Sequence, residues 1–355
     1  MIQKIELENF KGFKVLRLDQ FSRITLLGGE NSVGKTSILE AIFLFFDRGN
    51  AELVLRQFSW RGMSRLFLSP DQLFYPIFNE YSPKENIVIT LTIDGRKEAL
   101  RISFSDKIPE KKATLQFRGN TNSTRSEDKP VIHGKLDFEY LPPSGQSERS
   151  SLVVTAKGLS LRDVNTKPER RPAIYLSPRQ PSSPAEDAQR FGELDLHGGV
   201  NEAVNFLKVL DNRIQGLSSI FYGDSAVIHA DIGFSRKVPV PQLGEGLAFM
   251  LSMFLAMSAV KNGTLLVDEI GTGVHHTLLP KFWSGIADAA DHFKCQVIAT
   301  THSYECMQAA ATGLRSLLEP KFSYIRLDRE KDAVKPSVYS FPVLEAALDS
   351  GWEVR

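Results

Sequence analysis

Four short stretches of the chain carry residues whose types and spacing suit phosphate chemistry. The first, GGENSVGKTS at 28–37, contains Gly29-x-x-x-x-Gly34-Lys35-Thr36. In such a turn successive backbone N–H groups point inward and cradle phosphate oxygens, and the following helix N-terminus adds partial positive charge. Gly29, Glu30, Asn31, Ser32, Val33, Gly34, Lys35, Thr36 and Ser37 are therefore the expected nucleotide contacts. Lys35 reaches the β- and γ-phosphates, and the Thr36 hydroxyl ligates Mg²⁺. The second stretch is TLLVDE at 264–269. Its three apolar residues from Leu265 lead to Asp268, placed to hold Mg²⁺ through water, and Glu269, placed to orient or deprotonate the attacking water. The third, CQVIATTHS at 295–303, ends on Thr301, His302 and Ser303. A histidine at the C-terminal edge of a parallel sheet, beside the carboxylate strand, can reach the γ-phosphate. The fourth is LGEGL at 243–247, where Gly244 and Gly246 flank a helix start, a second anion-binding geometry. It lies far from the first loop in sequence, which suits a helix that caps a nucleotide bound to another subunit. The implied cofactors are ATP and Mg²⁺.

These groups meet only if the elements around them fold as α/β. Ile24, Leu26 and Leu27 predict a buried strand before the loop, and TSILEAIFLFF a buried helix after it. From 244 onward the pattern predicts helix 245–261, strand 264–268, helix 276–291, strand 295–300 and helix 303–317. Two closing strands and a short helix at 343–350 follow. Residues 1–27 predict two or three strands. Residues 185–222 show helical spacing through Val204, Phe206, Leu207, Leu210, Ile214 and Leu217, and 225–240 predict a β-hairpin. The intervening segment is different: NIVITLTIDG, EALRISFS, KLDFEYL and SLVVTAKGLSL alternate and are separated by turn residues, which predicts antiparallel β structure with mobile polar loops. The expected organisation is an ATPase core from 1–50 and 172–355, with a helical insertion at about 185–222, and a β-rich lobe at 51–171. The expected fold class is α/β, with a mixed sheet and an antiparallel lobe.

Composition narrows the function classes. The chain has 355 residues and a formal net charge of +1, so no global field draws in DNA or anionic lipid. Cys295 and Cys306 make no disulfide framework. No apolar run has membrane-spanning length, and the N-terminus lacks a signal-peptide pattern, so a cytoplasmic protein without membrane contact is expected.

LENFKGF, GENSVGKTS, LGEGL, LLVDEI and TTHS, in this order, resemble the ABC-type ATPases of the SMC, RecF and OLD group. The set LGEGL, DEIGTGVHH and ATTHSYEC is most similar to compact bacterial AAA-family ATPases of phage-defence modules, such as the ATPase subunits of PARIS-like and Septu-like systems. The resemblance implies a P-loop NTPase of ABC/SMC-head type. It implies a homodimer or higher homo-oligomer, in which two ATP molecules sit between the phosphate loop of one head and the signature helix of the other. It further implies that Gly271–His275 crosses the dimer, that Lys11 lies near the base or ribose, and that Gln180 senses Mg²⁺ and water. Where such ATPases usually carry a signature serine, this chain has Gly244, so backbone N–H groups would make that contact.

Two functions of different class follow. One is an ATP-driven switch that loads or releases a separate effector, such as a Toprim or HNH nuclease, in response to DNA or a phage-encoded trigger. The other is a RecF-like DNA-repair head, with Lys111, Lys112, Arg118, Arg125, Lys129, Arg170, Arg171 and Arg179 as a DNA track, although the interspersed acids and near-zero net charge favour solvated loops. A fused nuclease is excluded, because Asp328 and Asp332 form no Asp-x-Asp metal pair.

Overall fold

Every residue of β3 (Ile24–Gly29), β13 (Thr264–Val267) and β14 (Gln296–Thr300) is buried, as parallel strands covered on both faces must be. In the computed structural model they join β9 (Ala173–Leu176), β15 (Phe322–Glu330) and β16 (Ala333–Ser340) in one six-stranded sheet. The described residues are 1–48, 70–106, 132–155, 158–165, 171–178, 182–223, 225–315, 321–331, 333–352 and 354. The strand order is β16-β15-β3-β14-β13-β9, and only β16 runs antiparallel. The strand that enters the glycine loop therefore lies one strand away from the strand that ends at Asp268, with β14 between them.

Alternation along these strands feeds two cores. Leu26, Leu265, Val267, Val297 and Ala299 face one side. There they pack with α2 (Pro184–Leu196), α3 (Val200–Leu207), α4 (Glu245–Ala259), α5 (Leu279–His292), α6 (Tyr304–Leu314) and α7 (Phe341–Asp349). Leu27, Leu266, Ile298 and Ile325 face the other side, against α1 (Lys35–Phe46). That second core is closed by an antiparallel sheet in the order β2-β1-β4-β5-β6-β7-β8. Its strands are β1 (Ile2–Phe10), β2 (Phe13–Leu18), β4 (Ile87–Ile93), β5 (Arg96–Ser105), β6 (Ile132–Leu141), β7 (Glu148–Thr155) and β8 (Gly158–Asn165). Helix α1 is thus sandwiched between two sheets, and 11 of its 12 residues are buried. An apolar surface all round a helix is what such a position requires, and it fixes the start of α1 firmly under the loop.

Three elements differ from the sequence expectations. β1 and β2, expected as strands of the core segment 1–50, pair into the sheet of β4–β8 from the expected β-rich lobe, because β1 pairs with β4 across a long sequence gap. The helical insertion ends at Leu207, and Gly216–Tyr222 is a strand, β10, paired with β11 (Ser225–Asp231). The helix stops because Asp211 turns the chain: its carboxylate accepts the Arg213 backbone N–H at 3.0 Å and its guanidinium at 2.7 Å, an Asx-type turn. Leu217 consequently packs from a strand. The expected hairpin at 225–240 is present in reduced form, as β11 pairs with the two-residue β12 (Val238–Pro239). No described helix is long and apolar enough to cross a membrane.

Candidate functional site

The loop between β3 and α1 has its conformation set by packing. Gly34 has φ +106°, and a Cβ there would come within 2.3 Å of the Phe13 ring, so only glycine fits. Lys35 is buried, and its ammonium donates to the carbonyls of Gly29 at 2.7 Å and Glu30 at 3.0 Å. Burial lowers its pKa below the ordinary lysine value, while the charges of Glu269 and Asp268 push it back up. The lysine head is therefore already desolvated inside the loop, where an added phosphate gains most from it.

Sheet order brings the other groups to the same spot. Thr36 opens α1, and its hydroxyl is 3.0 Å and 3.1 Å from the two carboxylate oxygens of Asp268. Asp268 is buried and also accepts from Thr300 Oγ1 at 2.6 Å and Tyr175 Oη at 3.3 Å. Thr300, at the end of β14, accepts the backbone N–H of Glu269 at 2.9 Å. Its one hydroxyl thus ties both acidic residues. Glu269 has φ 52°, a left-handed backbone that a glutamate adopts only when held there. Its carboxylate accepts from His302 Nδ1 at 2.5 Å. A carboxylate offers only acceptors, so the imidazole proton sits on Nδ1 in this contact. Glu269 lines the cleft, whereas His302 is not among the lining residues and meets it only through Glu269.

These residues open into a cleft of about 750 Å³. Lys11, Asn31, Ser32, Val33, Gly34, Lys35, Thr36, Ser37, Asp268 and Glu269 all contribute to its walls. Gly29 and Glu30 form the base of the loop and hold Lys35 through their carbonyls. Lys11 is in the cleft, but its ammonium pairs with Glu40, a fully buried carboxylate on the second turn of α1. Gly244 and Gly246 are not part of this cleft's wall; Gly244 precedes α4, and Gly246, in its first turn, sits against Gly273 in the loop after Glu269. Gln180 lies outside the described residues, as do all the basic residues of the suggested DNA track except Arg171. Arg171 donates to Glu98 at 2.7 Å and 3.1 Å, an internal structural pair.

Sequence reasoning missed Thr300, Tyr175, Glu40 and Arg329. The last ends β15 beside the loop, lines the cleft and donates to the Ser32 carbonyl at 3.3 Å. A position near a strand end was the only signal available for Thr300, Tyr175 and Arg329, and Glu40 sits within α1 with no such signal.

The Thr36 and Asp268 oxygens are hard donors of the kind Mg²⁺ prefers, and two protein oxygens suffice when phosphates and waters complete its shell. The residues present fit that ion: Thr36 can offer a lone pair while its hydrogen stays on Asp268.

A family model described as "AAA domain, putative AbiEii toxin, Type IV TA system" matches residues 24–307. The chain belongs to this family. It is accordingly an ATPase of the AAA/SMC type. An "ATP/GTP phosphatase" of Helicobacter pylori is 23% identical over 328 residues, covering 87% of each chain. An uncharacterized protein of Methanocaldococcus jannaschii is 42% identical over 139 residues, which are 38% of this chain and 61% of that one. Among solved structures, an SMC head bound to the C-winged helix domain of ScpA superposes with a TM-score of 0.51 and 15% identity, covering 98% of this chain and 99% of that chain. The fold is that of a P-loop NTPase of SMC-head type.

Proposed function

We propose that this chain hydrolyses Mg²⁺–ATP as the switch subunit of a bacterial anti-phage defence assembly, and that a separate effector does the damage. The observation that carries the chemistry is the hydrogen-bond path Thr36–Asp268–Thr300–Glu269–His302, of which Thr36, Asp268 and Glu269 line one cleft together with Lys35. Thr36 and Asp268 would hold Mg²⁺, which would offset the phosphate charge. Lys35 and the loop N–H groups hold the β- and γ-phosphates. Glu269 orients a water and takes its proton as the water oxygen bonds to the γ-phosphorus. The bond to the β–γ bridging oxygen breaks, and ADP leaves. His302 fixes the Glu269 carboxylate through Nδ1 and is assigned the sensing of the γ-phosphate.

The homologue's name covers both ATP and GTP hydrolysis, which supports nucleotide turnover. The family description couples an AAA domain to a toxin–antitoxin system, which supports the defence role over DNA repair. The start of α4 lies outside its own chain's cleft, which supports a homodimer in which each α4 caps the partner's nucleotide.

Phosphate release by wild type, Lys35→Ala and Glu269→Gln tests the chemistry. Lys35→Ala should lose ATP binding in calorimetry. Glu269→Gln should bind ATP normally and hydrolyse it about 100-fold more slowly or worse. Wild-type turnover by Glu269→Gln would remove Glu269 from its role.

A further inference from the structure

The cleft has a second end that the phosphate chemistry does not use. Glu40 lies four residues beyond Thr36, about 6 Å further along α1, and its partner Lys11 marks where the cleft continues. Beyond Lys11 the wall is made by Pro76, Phe78, Glu80 and Tyr81. This turn is strained. Glu80 has φ 52° and Tyr81 φ 57°, two consecutive non-glycine residues in the left-handed region, and Lys11 opposite has φ 48°. Such backbone costs free energy and persists only where its surroundings over-determine it, typically at ligand clamps.

The surroundings here do so. Phe78 bridges to Phe10. The Lys11 N–H donates to Ile77 at 2.9 Å, and Asn79 Nδ2 donates to the Lys11 carbonyl at 2.7 Å. Tyr81 N–H and Ser82 N–H close the turn onto Phe78 and Asn79. The result holds Tyr81 at the cleft wall with 66% of its surface exposed. Among the described residues no ring or cation packs on its face, although the neighbouring Tyr75 and Phe104 rings pair with each other at 5.4 Å.

We propose that Tyr81 is a stacking platform for the purine base of the nucleotide, and that base recognition there rests on its ring face. The inference rests on the nucleotide reading above. With the phosphates at the start of α1, the sugar and base must run along the cleft past Lys11 to this turn. Every base has a π-face, so stacking on an aromatic ring tolerates a change of base. Tyr81 therefore takes adenine and guanine alike.

The test is steady-state hydrolysis by the full chain with Mg²⁺–ATP and Mg²⁺–GTP. Tyr81→Ala should raise KM about tenfold for both nucleotides, within the range that loss of one base–aromatic stack produces. Its kcat should stay within about twofold of wild type, because Lys35, Asp268 and Glu269 are untouched. Tyr81→Phe, which keeps the ring, should restore KM. An unchanged KM in Tyr81→Ala overturns the proposal. So does a Tyr81→Phe variant as weak as Tyr81→Ala, or a wild-type preference of more than about 100-fold between ATP and GTP. Failure of the nucleotide reading itself looks different: the wild type would hydrolyse neither nucleotide, and Lys35→Ala would change nothing.

Discussion

At the scale of single residues, the site depends on one hydroxyl that no motif announces. Thr300 donates to Asp268 and accepts from the Glu269 backbone, so it fixes the position of both acids at once. It is fully buried, and a valine would match its shape without its hydroxyl. Thr300→Val should leave the Glu269 N–H unsatisfied, a penalty of about 1–3 kcal/mol for a buried donor, and free Glu269 from its left-handed backbone. We expect kcat to fall at least about tenfold, since 1.4 kcal/mol is a factor of ten, with ATP affinity changed less than about threefold. Parallel calorimetry and phosphate-release assays separate these effects; equal loss of affinity and rate would mean the residue supports the fold rather than the acids. Lys35, Thr36, Asp268, Glu269 and His302 were legible in the sequence because each sits at a fixed offset from a strand or helix end. Thr300, Tyr175 and Arg329 were not, because their partners are 32, 93 and 297 positions away in sequence, and only the strand order brings them together.

At the scale of elements, one loop and one helix start are locked by backbone contact. A Cβ on Gly246 would come within 2.2 Å of the Gly273 carbonyl oxygen, and neither side of that contact is a flexible side chain. The first turn of α4 and the loop after Glu269 are therefore pressed together. Gly246→Ala must push them apart, at a cost of roughly 1–3 kcal/mol for overpacking. Denaturant unfolding should show that loss, and ATP-driven association should weaken further, since the same helix start is the proposed cap on the partner's nucleotide. Unchanged stability would mean the loop yields freely and the contact positions nothing. The elements that carry the site were legible for a related reason: β3, β13 and β14 are continuous apolar runs, and α1 is apolar all round. The strand at Gly216–Tyr222 was not, since Leu210, Ile214 and Leu217 fall at helical spacing and the Asp211 turn overrides it. The placement of β1 and β2 in the antiparallel sheet was equally hidden, because pairing with β4 is non-local.

At the scale of the whole molecule, one chain holds a phosphate cleft and a helix start that does not line it. Two chains can satisfy both, and a nucleotide that binds the paired state better must shift heads towards it by that difference in affinity. A partner protein that prefers the paired state is then coupled to ATP, and the coupling is reciprocal. Light scattering of Glu269→Gln should therefore show a monomer without nucleotide and a dimer with Mg²⁺–ATP, while Lys35→Ala stays monomeric in both. The neighbouring gene product, used as the candidate effector, should co-purify with one nucleotide state and not the other. Nuclease or toxin activity should appear only when that second protein is present. Among the described residues, no cluster of three or more His, Cys, Asp or Glu side chains could hold a metal. Metal-dependent DNA cleavage by this chain alone, surviving Lys35→Ala, would defeat the division of labour. A Glu269→Gln variant that stays monomeric at high concentration with Mg²⁺–ATP would instead defeat the paired head, and leave each cleft to act alone.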